Sequence, residues 1–185
     1  MSHTTTSFNQ SRVEKLNLYF WNLCDMQSIM QNFEIKKSIT AGVFSILTIG
    51  ILTGLTYKTG LGIFLLASFG SSMVLLYGYP ESPFAQPKNV FFGHLITAIV
   101  GLIVLHFVPL PIYMTIPIAV GFGVGLMIFF NITHPPAGGN PIIVIIGGVS
   151  FEYLISPVVT GSIIIIISAV IINRLILKKP YPNQK

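Results

Sequence analysis

Apolar residues along this chain gather into long runs, and the polar ones are pushed to the seams between them. Four runs, 38–56, 61–79, 90–108 and 112–130, hold about 19 residues each, roughly 28 Å of helix and enough to cross the hydrocarbon core of a bilayer. A further long run covers 155–173. Between the last two lies Asn131 to Gly148, where polar residues, two adjacent prolines and two glycines interrupt the pattern. Pro135 and Pro136 lack amide donors, and each pushes the residue before it out of helical geometry. Gly138 and Gly139 add backbone freedom. Asn140 suits the cap of a new helix and Pro141 its first turn. The expectation is a helix, an unwound segment, then a short apolar helix over 137–149. Inside a membrane protein such a break lines a protein-enclosed cavity, because irregular backbone does not survive against lipid.

Ahead of the runs, residues 1–11 are polar. From Arg12 to Phe33, Val13, Leu16, Phe20, Leu23 and Met30 recur at helical spacing. That predicts an amphipathic helix, lying on the membrane surface or packed on the protein's own cytoplasmic face. The first long apolar run begins only after Lys36 and Lys37, too late for a cleavable signal. The domain reading is therefore a cytoplasmic tail with an interfacial helix over 1–37, a membrane domain over 38–175, and a basic cytoplasmic tail over 176–185.

Composition agrees with a bilayer partner: 52% of residues are hydrophobic, 8% are charged, and the mean hydropathy is +0.80. The net charge of +5 does not indicate nucleic acid, since the lysines and arginines sit in the tails and one loop. Six crossings with the N-terminus inside place Arg12, Lys15, Lys36, Lys37, Lys88, Arg174, Lys178, Lys179 and Lys185 inside, and only Lys58 outside. Five crossings would put the four C-terminal cations on the wrong side. The lone Cys24 rules out an intrachain disulfide.

The fold expected is all-α and polytopic, with about six membrane elements including interrupted or half helices. A weak internal repeat lays Gly70-Ser71-Ser72-Met73-Val74-Leu75-Leu76-Tyr77 over Gly138-Gly139-Asn140-Pro141-Ile142-Ile143-Val144-Ile145. In both, small or polar residues lead into an apolar run. Three elements per half is an odd number, so the halves form an inverted (3+3) repeat. Interrupted helices at matching positions of such a repeat point to a transport site near mid-membrane.

His134-Pro135-Pro136-Ala137-Gly138 resembles the motif that names the HPP family of integral membrane proteins. A second stretch agrees with it: Phe69-Gly70-Ser71-Ser72, then Pro83-Phe84-Ala85-Gln86-Pro87-Lys88-Asn89, then Gly93-His94. The resemblance implies a compact helical membrane domain. Because characterised cyanobacterial and chloroplast members transport nitrite, it also implies nitrite as cargo and a role in nitrogen assimilation. It implies a multi-pass protein in the plasma or inner membrane of a bacterium or the chloroplast envelope, with both termini cytoplasmic or stromal. Asn140-Pro141 departs from the small or hydroxyl residues that many bacterial members carry after the glycine.

An anion stripped of water needs donors fixed in place. The candidate site therefore comprises Gly70, Ser71, Ser72, His94, His134, Gly138, Gly139 and Asn140. Glycines let the backbone approach, the hydroxyls and amide donate, and a histidine can attract an anion or couple it to a proton. Close packing between helices is the other role open to Gly70–Ser72, and bracing the Pro-Pro break the other role of His134. A site of dipoles without Arg or Lys would hold a monovalent anion weakly enough to release it. His106 reads as interfacial. Glu34, Glu81 and Glu152 fall at span boundaries, which leaves no deep carboxylate for a proton relay. Lys88 beside Gln86 and Asn89 is either an attractor at the mouth or a membrane anchor. No metal spacing and no cofactor motif is present, and Ser71 and Ser72 with His94 lack an orienting carboxylate, so no enzyme is expected. Gly50 with Gly54, and Gly121 with Gly125, suit packing between helices or in a homo-oligomer. The alternatives carried forward are another small anion (nitrate, formate, bicarbonate or chloride) and a non-transporting structural or regulatory membrane protein.

Overall fold

The computed structural model describes residues 35–60 and 62–183; the surface helix expected over Arg12–Phe33 lies outside them. In chain order the helices are α1 (Ile35–Lys58), α2 (Ala67–Met73), α3 (Pro87–Phe107), α4 (Ile112–Phe129), α5 (Asn140–Gly147) and α6 (Thr160–Ile171). No strand occurs among the described residues. Helices α1, α3, α4 and the 26-residue stretch Phe151–Ile176 around α6, which is kinked at Ser156 (φ −132, ψ 113), are long and apolar enough to cross a membrane. Each half thus runs long, short, long. The large side chains that stay exposed are mostly apolar, among them Ile46 (73%), Phe107 (70%), Phe129 (79%) and Leu175 (72%). Fully buried positions, by contrast, include Thr48, Ser72, His94, Thr97, His134, Asn140, Ser162 and Asn173. An apolar exterior with polar side chains enclosed beside the apolar core is the arrangement that lipid as solvent selects, and the protein is an all-α polytopic membrane protein.

The apolar run 61–79 is not helical throughout. Residues 62–66 have no regular structure, Leu66 is extended, α2 begins at Ala67, and its end widens into a π-type turn over Val74–Gly78. Gly62 sets this up with φ +136, a backbone region that side chains rarely enter. Away from water the freed backbone groups need partners. The Phe64 amide donates to Thr56 Oγ1 at 3.0 Å, and Ser156 donates to the Ile63 carbonyl. The second short helix has a comparable lead. Beyond α4, Asn131 turns left-handed (φ 53) and the Ile132 amide returns to the Met127 carbonyl at 2.9 Å, ending the helix. One tight turn over Pro135–Gly139 then feeds α5.

Helix α3 is the axis of the packing: half of its apolar window is buried, against 11% for α1. One apolar core joins α1, α2 and α6 through Leu52, Phe69, Met73, Leu76 and Ile165. A second joins α3, α4 and α5 through Val100, Val104, Ala119 and Ile145. Close approach needs two glycines on α3. A methyl at Gly101 would stand 3.0 Å from Pro141 Cα, and one at Gly93 would stand 2.8 Å from His134 Cβ. After the last helix, Tyr181 folds back and is buried (1% exposed), its hydroxyl donating to the Ala85 carbonyl at 2.7 Å. The Asn183 amide adds a bond to Gln86 Oε1 at 2.8 Å. Burial, with a smaller push from Tyr77, raises the Tyr181 phenol above its ordinary range, so it stays a neutral donor.

Candidate functional site

The buried polar side chains concentrate where the two short helices meet. Ser68 and Ser72 stand four apart on one face of α2, and His94 and Thr97 three apart on one face of α3. His134 is held extended (φ −133, ψ 97), as the following proline requires. Asn140 opens α5. Each of these six is 6% exposed or less.

Asn140 corrects one expectation. It is not the cap of the short helix: Gly139 takes that position, and no side chain caps it. The amide is engaged in the cluster instead. Its Nδ2 lies 3.1 Å from His94 Nδ1, 3.1 Å from the His94 carbonyl and 3.0 Å from Thr97 Oγ1. Its Oδ1 accepts from the Ser68 hydroxyl at 2.6 Å. Because a carbonyl only accepts, the bond to the His94 carbonyl fixes which end of the amide is nitrogen. Thr97 passes its own proton to the Gly93 carbonyl at 2.8 Å.

The histidines continue the chain of bonds. His134 Nδ1 lies 2.7 Å from the Phe84 carbonyl and Nε2 2.8 Å from Ser72 Oγ. Ser72 Oγ is also 3.1 Å from His94 Nε2. The two rings meet edge-on with centroids 5.0 Å apart, and Phe69 closes the other side of His94 at the same centroid spacing. Thus Ser72, His94, His134 and Asn140 come together, and Ser68, Thr97 and the Phe84 carbonyl join them.

The other expected site residues lie elsewhere. Gly70 and Ser71 are exposed, on the side of α2 turned away from Ser68 and Ser72. Gly138 and Gly139 are half-buried, with room to spare: a methyl at Gly138 would meet only Val124, at 3.9 Å, and one at Gly139 nothing within 4 Å. His106 is exposed, bonded to the Leu102 carbonyl of its own helix, and its ring lies tilted beside Phe151 with centroids 4.8 Å apart. Glu81 and Glu152 are exposed. Gln86 ties its own loop to the Pro80 and Ser82 carbonyls, and Asn89 holds the Thr133 carbonyl at 2.9 Å. Among the described residues no three His, Cys, Asp or Glu side chains are placed to hold a metal. The cluster therefore offers hydroxyl, amide and imidazole groups, without a fixed charge.

Comparison with known proteins places this architecture. The sequence pattern of the HPP transmembrane region matches residues 30–182. Two transmembrane proteins of Dictyostelium discoideum are similar to the chain. One is 32% identical over 125 residues, covering 64% of this chain and 44% of its own length; the other is 35% identical over 127 residues, covering 65% and 41%. The chain thus spans less than half the length of either relative. No solved structure matches it. With the family pattern running from ahead of α1 to beyond α6, and the His134-Pro135-Pro136 break supplying a ring to the buried cluster, the chain belongs to the HPP transmembrane family.

Proposed function

We propose that the protein carries a small monovalent anion across its membrane, with nitrite the cargo that the family resemblance implies. The observation that supports this reading is the uncharged polar cluster, buried where two interrupted helices meet inside an apolar shell. Burying six polar side chains in such a place costs free energy unless their donors and acceptors are matched. Transport gives a reason to keep them, because hydroxyl, amide and imidazole N–H groups can exchange a hydrogen bond with one another for one with a desolvated anion. The absence of Arg or Lys from the cluster suits release of a singly charged ion over retention of phosphate or sulfate. Nine of the ten lysines and arginines on one side favour both ends of the chain facing the cytoplasm or stroma.

One observation favours a bracing role instead: the cluster's bonds close on themselves, so an anion enters only by displacing them. Uptake into liposomes holding the purified chain separates the two readings. Nitrite, nitrate, formate, bicarbonate and chloride are compared, and protein-free vesicles are subtracted because nitrous acid crosses bilayers unaided. Nitrite uptake above that background, lost in Ser72→Ala and kept in Ser71→Ala, is expected. A folded chain that moves none of the five anions would overturn the transport reading.

A further inference from the structure

The hydrogen bonds of the cluster carry a direction. With both rings neutral, the Phe84 carbonyl only accepts, so His134 Nδ1 bears the proton of the 2.7 Å bond. His134 Nε2 is then bare and takes the Ser72 proton across 2.8 Å. The Ser68 carbonyl competes for that proton from 3.1 Å, the longer of the two contacts. Having given its proton to His134, Ser72 Oγ accepts from His94 Nε2–H at 3.1 Å. His94 Nδ1 is left bare and faces the Asn140 amide at 3.1 Å. The two histidines therefore hold opposite tautomers, joined head to tail through one hydroxyl.

We propose that His94, Ser72 and His134 form a proton relay through the membrane-buried cluster, so that each anion carried is accompanied by a proton. This rests on the transport reading for its cargo, and on geometry alone for the relay. A proton from water binds His94 Nδ1 as the Asn140 amide turns aside. The His94 Nε2–H bond breaks as Ser72 Oγ gains that proton. The Ser72 O–H bond breaks in turn as His134 Nε2 gains a proton. His134 then loses its Nδ1 proton to water beside the Phe84 carbonyl. One proton enters and one leaves, no electrons move, and each group keeps its proton count with its tautomer reversed. Reorienting both rings and the hydroxyl resets the chain. An extra proton held partway turns a bare ring nitrogen into a donor and gives the buried cluster a positive charge, which an anion beside it neutralises. The two rings are the titratable groups that face one another: Phe69 and Ser72 stand over them from α2, the Phe84 carbonyl from its loop and Asn140 from α5. Among the described residues no lysine, arginine or carboxylate bears on either ring.

The test is solid-state NMR of the full chain in bilayers with 15N-labelled histidine, the rings assigned from His94→Gln and His134→Gln. The relay predicts Nε2–H for His94 and Nδ1–H for His134, with both rings reporting the same titration steps. In Ser72→Ala, which removes a single oxygen, the rings should change at separate pH values. Coupled anion and proton flux in liposomes should fall by about 100-fold, the scale of a lost acid–base group. Two rings in the same tautomer, or titrating independently in the parent, would overturn the relay even where anions are still carried. Opposed tautomers with a shared transition, in a chain that moves no anion, would uphold the relay and remove the cargo.

Discussion

Gly93→Ala should disable the cluster, while Gly138→Ala, at the family motif itself, should not. A methyl at Gly93 would stand 2.8 Å from His134 Cβ and 3.3 Å from the Ile132 carbonyl oxygen. The first distance is about 0.6 Å short of ordinary contact at 3.4 Å, and neither neighbour is the loose end of a side chain. His134 cannot yield freely, because its two ring nitrogens are fixed at 2.7 and 2.8 Å by the Phe84 carbonyl and Ser72. Moving the segment by that shortfall would stretch both bonds beyond good geometry. Overpacking of this kind costs about 1–3 kcal/mol. At roughly 2–4 °C of melting temperature per kcal/mol, the loss is a drop of several degrees. At Gly138 the same methyl meets one atom at 3.9 Å, so the expected change is within about 0.5 kcal/mol. Thermal unfolding of both variants in detergent, alongside anion uptake, makes the comparison. If Gly93→Ala melts and transports like the parent while Gly138→Ala loses both, the packing of α3 against the break has been misread.

Asn140→Ala removes the partner of the Ser68 hydroxyl and of His94 Nδ1 and Thr97 Oγ1 at once. With up to about 1.7 kcal/mol for a polar contact within a membrane, roughly 2 kcal/mol or more should be lost. An unchanged melting temperature, read by differential scanning, would mean that the cluster is not a unit. Tyr181→Phe deletes the hydroxyl on the Ala85 carbonyl, leaves that buried acceptor unpaired and should cost about 1–3 kcal/mol. Faster cleavage by a Glu-specific protease after Glu81, or by trypsin after Lys88, is the expected sign of a loosened loop; cleavage at the parent's rate would refute the bond's role.

Fold class was legible because lipid imposes a coarse demand: runs of apolar residues long enough to cross, with the polar breaks between them. The His-Pro-Pro break was legible for a local reason: a proline drives the residue before it out of helical geometry, which leaves His134 extended while Pro135 and Pro136 open a new helical turn. What escaped was the face of each helix that would be buried. Ser71 and Ser72 are equivalent in composition, yet only Ser72 shares a face with Ser68, and that four-residue spacing was the signal available for Ser68. Thr97, three residues after His94, was available in the same way. Asn140 was read locally, as a cap, because its actual partners lie 43 to 72 residues away in the chain. The non-helical start of the second run was hidden because its residues are as apolar as any helix. The side chains of Thr56 and Ser156, each from another element, help make an unwound backbone tolerable there.

The bond from Tyr181 to Ala85 spans 96 residues, and it has a consequence for how the molecule is made. The loop Pro80–Gln86 supplies the carbonyl that fixes His134, yet its own bolt is synthesised after all six helices. Throughout insertion, therefore, the helices can thread into the bilayer and pair while this loop stays unfastened. Threading and fastening become separate events in biogenesis. A released chain truncated between Ile176 and Tyr181 should be stably integrated, with its buried polar centre still open to exchange with solvent.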